Sequence, residues 1–128
     1  MNFNAPMSEK DALLLSALSL AYIGDAVHTL FVREGLVVNS QLKPDALHQL
    51  ASAKVKACAQ AKLFETIESR LTETETSVYL RGRNAKARHK AKNQTIFDYR
   101  KATGLEAVLG YLYLTGQRER IVELLTIQ

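Results

Sequence analysis

Leu20-Ala21-Tyr22-Ile23-Gly24-Asp25-Ala26-Val27 sets one glycine and one carboxylate into an otherwise apolar stretch. Thr103-Gly104-Leu105-Glu106-Ala107-Val108-Leu109-Gly110-Tyr111 repeats the combination near the other end of the chain. A carboxylate is rarely buried unless it is paired or holds a metal, because its charge is costly to desolvate. A glycine inside a helix costs roughly 1 kcal/mol relative to alanine. Gly24 and Gly110 therefore need a reason, and close approach of a second backbone is one. Ala21 lies one turn before Asp25 and Gly110 one turn after Glu106, so both carboxylate faces are small. Two helices crossing there would bring Asp25 and Glu106 to one cation. Local chemistry also allows a plainer account. Gly24 could stop a helix with Asp25 capping the next, and Thr103 with Glu106 could form a capping box. Both accounts stand at this level.

The segments around these stretches read as helices. Ser8-Glu9-Lys10-Asp11 has a capping pattern, and a helix is expected from about Glu9 to Arg33, with Gly35 as its stop. Leu36 to Lys43 reads as a loop, and Pro44 suits a first helical turn. Apolar residues from Ala46 to Ile67 recur at helical spacing and describe one helix or two consecutive ones. Thr72-Glu73-Thr74-Glu75 looks like a capped start, with Gly82 ending that helix. Another helix resumes near Ile96 or Thr103, Gly116 breaks it, and Glu119 to Ile127 forms the last. The expected fold is all-α, about six helices, in one domain spanning 1–128, with an exposed basic loop at about 83–95.

Composition narrows the function. The 128 residues are 47% hydrophobic, enough for a core, and the single cysteine, Cys58, has no partner for an internal disulfide. That usage fits a reducing cytoplasm. No secretory signal is expected, since Met1 to Asn4 lack basic residues. Leu13 to Val32 has the length of a membrane span, but Ser16, Ser19, Gly24, Asp25, His28 and Thr29 interrupt it, so no membrane association is expected. Two acids without a His or Cys cluster suit Mg²⁺, or Mn²⁺ in its place, better than Zn²⁺. His28, His48 and His89 are too scattered to form a metal cluster and read as surface or satisfied polar residues.

Three co-ordered motifs carry a family resemblance. Tyr22-Ile23-Gly24-Asp25-Ala26-Val27 resembles the signature of the ribonuclease III nuclease domain, and Gly104-Leu105-Glu106-Ala107-Val108-Leu109-Gly110 resembles its second motif. Together with Arg81-Gly82-Arg83-Asn84-Ala85-Lys86, they resemble the mini-ribonuclease III subgroup, which consists of the nuclease domain alone. The resemblance covers nearly the whole chain. It implies a ribonuclease III-like helical endonuclease that forms a homodimer and cuts double-stranded or structured RNA, with ribosomal precursor RNA of the large subunit (23S) as substrate. It further implies Asp25 and Glu106 as catalytic metal ligands, and products with 5′-phosphate and 3′-hydroxyl ends. Ala21, Leu18 and Thr103 stand where the larger family has further acids, so two carboxylates remain.

The net charge of +4 is unevenly spread. Eight basic residues between Arg81 and Lys101 face the single acid Asp98, a net of +7, while nine basic and twelve acidic residues elsewhere leave −3. Several phosphate contacts together give salt-sensitive affinity without sequence reading, and few aromatics accompany them. Arg81, Arg83, Lys86, Arg88, Lys90 and Lys92 are the candidate backbone contacts, with Asn84 placed either on a 2′-hydroxyl or in the loop's own structure. The plainer account of such a run is a solvated face. Two rivals to an endoribonuclease follow: a non-catalytic module binding structured RNA on the same fold, and a helical interaction protein in which both acid motifs are caps.

Overall fold

One helix, Ile96–Leu114, runs through the middle of the molecule, and most of its residues from Ala102 to Leu112 are buried. The computed structural model describes residues 3–86 and 95–127. Among them are seven α-helices and no strand, an all-α fold as expected. In chain order they are α1 (Glu9–Leu13), α2 (Ala17–Asn39), α3 (Pro44–Val55), α4 (Ala57–Ile67), α5 (Glu73–Asn84), α6 (Ile96–Leu114) and α7 (Arg118–Leu125). A short 3₁₀ turn, Glu68–Arg70, follows α4. Helix α6 packs against α2, α5 and α4, and more lightly against α7 and α1.

Local chemistry starts most of these helices. The Ser8 hydroxyl accepts from the Asp11 N–H at α1, and Thr72 and Glu75 cap α5 reciprocally. Pro44 opens α3 without losing a needed donor. Thr95 caps α6 through the Asp98 N–H. Gly116, at φ +75°, ends the turn after α6 in a conformation that glycine adopts without strain.

Three boundaries differ from the expectation. The single helix over Glu9 to Arg33 is divided, because Ser16 caps a new helix by accepting from the Ser19 N–H at 3.0 Å. The Arg81 guanidinium donates to the Leu13 and Leu15 carbonyls, at 3.2 and 2.7 Å, and satisfies acceptors freed by the break. Gly35 does not stop α2, which continues to Asn39; no neighbour lies within 4 Å of where its Cβ would be. Gly82 does not end α5 but lies buried within it. Its missing side chain admits α6, since a Cβ there would come 2.9 Å from both Ala107 Cβ and Gly104 Cα.

The core lies along α6. Leu105, Val108, Leu109, Tyr111 and Leu112 meet Leu20 of α2, Phe64 and Ile67 of α4, Val78 and Tyr79 of α5, and Ile121 and Leu124 of α7. Burying each large apolar side chain contributes about 1.5–3 kcal/mol before entropy is subtracted. The Phe64 and Tyr79 rings stack with centroids 3.8 Å apart. Tyr111 and Leu112 are both fully buried and belong to the core.

Candidate active site

Helices α2 and α6 touch backbone to backbone. A Cβ on Gly24 would lie 1.7 Å from the Glu106 carbonyl oxygen, and one on Gly110 would lie 1.8 Å from the Leu20 carbonyl oxygen. No other residue type fits either position without parting the helices. The glycines are thus interior residues of a crossing, and the capping accounts of both acidic stretches fall away. Asp25 lies well inside α2, and Glu106 lies ten residues beyond the start of α6.

The crossing brings the two carboxylates together. Asp25 is exposed at its mouth, while Glu106 is half-buried behind it. Burial raises the pKa of Glu106 to about 8, and the hydrogen-bonding contact and charge of Asp25 push the same way; a hydrogen bond from Gln60 partly offsets them. An acid so perturbed, beside a second acid and open to solvent, is the kind of group found at functional sites. A divalent cation would relieve both causes at once. The donor set fits: two carboxylate oxygen donors suit a hard ion that keeps several waters. Among the described residues no group of three or more His, Cys, Asp or Glu side chains is gathered for a metal.

Behind the pair lies a layer absent from the expected site residues. Gln60 of α4 and His28 of α2 are both buried, and the Gln60 amide nitrogen lies 2.9 Å from His28 Nδ1 and 3.4 Å from Glu106 Oε2. Desolvation lowers the His28 pKa to about 4, against the opposing pull of Asp25. His28 is therefore a satisfied, neutral polar residue at pH 7. Its position three residues after Asp25, on the same side of α2, is the only local sequence signal for this layer.

Thr103 lies within α6 rather than at its start, and its hydroxyl donates to the Tyr99 carbonyl at 3.0 Å. Neither the cap expected of it nor a place beside Asp25 and Glu106 appears in its contacts. Arg81 is engaged with α1 as described above. Arg83 and Asn84 are exposed on the last turn of α5, where Arg83 Nε donates to Asn84 Oδ1 at 3.2 Å, and Lys86 is exposed just beyond. Arg88, Lys90 and Lys92, with most of the expected basic loop, lie outside the described residues. The two described ends of that segment meet around a cavity of about 250 Å³, lined by Asn84, Lys86, Tyr99, Arg100 and Thr103 among others.

Residues 18–117 match the Ribonuclease III domain family. The chain is 46% identical to a Mini-ribonuclease 3 of Enterococcus faecalis over 118 residues, covering 91% of this chain and 89% of that one. A Mini-ribonuclease 3 of Brevibacillus brevis is likewise 46% identical, over 90% of this chain and 86% of its own. The fold resembles a crystal structure of a Fusobacterium nucleatum protein with a TM-score of 0.80 at 30% identity, covering 90% and 92% of the two chains.

Proposed function

This chain belongs to the ribonuclease III family, and we propose that it is an endoribonuclease that cuts double-stranded RNA with a divalent cation held by Asp25 and Glu106. The observation that carries the site assignment is the glycine crossing, beside which exposed Asp25 meets half-buried Glu106. Mg²⁺ is the proposed ion, with Mn²⁺ able to replace it. When bound, it lowers the pKa of water and offsets negative charge on the scissile phosphate. Exposed Asp25 and half-buried Glu106 are the two residues that would hold it. Without a cation the raised pKa of Glu106 keeps it largely protonated at pH 7, so binding displaces a proton. Water and RNA phosphate would complete its coordination, and cleavage would leave a 5′-phosphate and a 3′-hydroxyl.

The RNA lies across the basic end of the molecule. Arg83 and Lys86 are exposed for phosphate contact, Arg88, Lys90 and Lys92 extend the same charged segment, and Asn84 serves a 2′-hydroxyl. Arg81 acts mainly by holding the α1–α2 break beside them. A-form RNA offers phosphates and 2′-hydroxyls rather than readable major-groove base edges, which suits such a contact set. The working form is a homodimer. Leu18 and Tyr22 are exposed one turn apart on α2, with Leu14 exposed just before it, and Tyr22 is 81% exposed. A second copy on that face would cover it and place its own site nearby. Precursor large-subunit ribosomal RNA is the proposed substrate and the cytoplasm the proposed location; no described helix is long and apolar enough to cross a membrane.

Double-stranded RNA incubated with Mg²⁺ at low salt tests the assignment in wild type, Asp25→Asn and Glu106→Gln. Loss of cutting with binding retained is the expected result. Binding without cutting in the wild type would instead favour the non-catalytic RNA-binding module.

A further inference from the structure

We propose that Gln60 and His28 form a buried brace that positions the Glu106 carboxylate for the cation, an inference that rests on Asp25 and Glu106 being its ligands. Gln60 is 2% exposed and His28 3%, and burying two polar side chains is unfavourable unless their hydrogen bonds are made. They satisfy each other across two helices, and the same contact continues to the site. The Gln60 amide nitrogen has two hydrogens and no acceptor capacity. Its neighbour His28 Nδ1, at 2.9 Å, must therefore accept, which places the imidazole proton on Nε2. Its second neighbour is Glu106 Oε2, at 3.4 Å.

This arrangement fixes the direction of the amide. Were Gln60 turned over, its carbonyl oxygen would face the Glu106 carboxylate, which in the ionised form that holds a cation pairs acceptor with acceptor, while His28 could meet it only as the other tautomer. The ionised carboxylate thus takes the N–H end of Gln60, His28 in its Nε2–H form accepts the other amide hydrogen and holds that end in place, and Gln60 decides which carboxylate oxygen is held back. Oε2 is tethered toward α4, and Oε1 is left for the cation. His28 also belongs to the turn of α2 that follows Asp25. The brace therefore ties the orientation of one acid, on α6, to the helix that carries the other. Partners of this kind, one step behind a metal ligand, typically affect metal affinity or activity about 10- to 100-fold.

The test measures Mn²⁺ affinity of the RNA-free protein by electron paramagnetic resonance, with kcat and KM on double-stranded RNA alongside. Gln60→Leu should weaken Mn²⁺ binding about 10- to 100-fold. His28→Leu should weaken it as well, and His28→Asn, which returns an acceptor near the place of Nδ1, should recover much of the loss. KM for RNA should stay within about twofold in all three, since neither side chain reaches the surface. A packing role predicts otherwise: His28→Leu would bind Mn²⁺ at least as well as His28→Asn, and that result overturns the brace. Should Gln60→Leu fail to fold in a thermal melt, the two His28 variants still decide. Glu106→Gln is the control for the premise. If it binds Mn²⁺ like wild type, the cation reading fails and the brace with it. If it weakens binding while Gln60→Leu does not, the brace alone is overturned.

Discussion

Replacing Gly24 with alanine perturbs the crossing at a single atom. The added Cβ would lie 1.7 Å from the Glu106 carbonyl oxygen, about 1.6 Å short of the roughly 3.3 Å at which carbon and oxygen ordinarily meet. The obstacle is the backbone of a buried helix, not the end of a flexible side chain, so the helices must part. Overpacking a core typically costs about 1–3 kcal/mol and occasionally more. With backbone on both sides, about 3–4 kcal/mol is the appropriate figure, and the better helix propensity of alanine returns about 1 kcal/mol. The net loss is about 2–3 kcal/mol, a large share of a typical stability of roughly 5–15 kcal/mol. At about 3–4 °C per kcal/mol for a chain of this size, Tm should fall by about 6–12 °C. Gly35→Ala is the matched control, because it adds the same methyl where no atom lies within 4 Å. It should stabilise by about 0.5–1 kcal/mol. Urea and thermal melts followed by circular dichroism give both numbers. Parting α2 from α6 also moves Asp25 from Glu106, and a displacement near 1 Å can cost about 100-fold in rate. A Gly24→Ala protein as stable as wild type, or cutting RNA at the same rate, would refute the close-approach argument.

Other outcomes follow from the same contacts. In metal-free protein, Glu106 contributes stability that is present below pH 4.5 and lost as pH rises through about 8, whereas His28 contributes stability that is present above pH 6.5 and lost as pH falls through about 4. The two oppose each other between pH 6.5 and 4.5, so wild-type stability in chelator should vary little there. Glu106→Gln should expose the His28 limb, a loss of about 3 kcal/mol between pH 6.5 and 4, and an unchanged profile would contradict the burial of His28. Arg120 forms paired hydrogen bonds with the buried Glu75 carboxylate at 2.9 and 2.8 Å and donates to the Arg70 carbonyl. Arg120→Met strands that carboxylate and should cost about 2–3 kcal/mol in a urea melt, less than for a wholly buried pair because the guanidinium is partly exposed. Changing three of Arg83, Lys86, Arg88, Lys90 and Lys92 to glutamine should reduce the slope of log affinity against log salt by about 2–3; an unaltered slope removes those residues from the RNA contact.

Gly24 and Gly110 were legible because a glycine within an apolar helix has few physical reasons to be there. Close approach was one of them, and the structure supplies the approaching backbone. Glycine as a residue type carries no such information, as Gly35 and Gly82 demonstrate. Each could have been a stop; one is an unused position on an open face and the other a clamp on α6. Only the neighbouring helix distinguishes them, and a neighbour is not a local property. The same limit explains α6. Thr95 and Thr103 both offer a capping hydroxyl three residues before an acid, and the sequence left both starts open. The earlier start prevails because Ala102, Thr103, Gly104 and Leu105 are buried against α5 and the core, where a helix end, even one capped by Thr103, would leave several backbone donors without partners. At α1, apolar residues on nearly every face hid the break, and the carbonyls it frees are satisfied by Arg81, more than sixty residues away. Gln60 was least visible of all. Its partners are 32 and 46 residues distant, and within α4 it occupies an ordinary core position. A polar side chain in such a position gains its meaning from what the other helices present to it, here one imidazole and one carboxylate. The chemistry of the site is therefore written in residues with local signals, Gly24-Asp25 and Glu106 with Gly110, while the aim of its inner carboxylate depends on residues that only the assembled helices bring together.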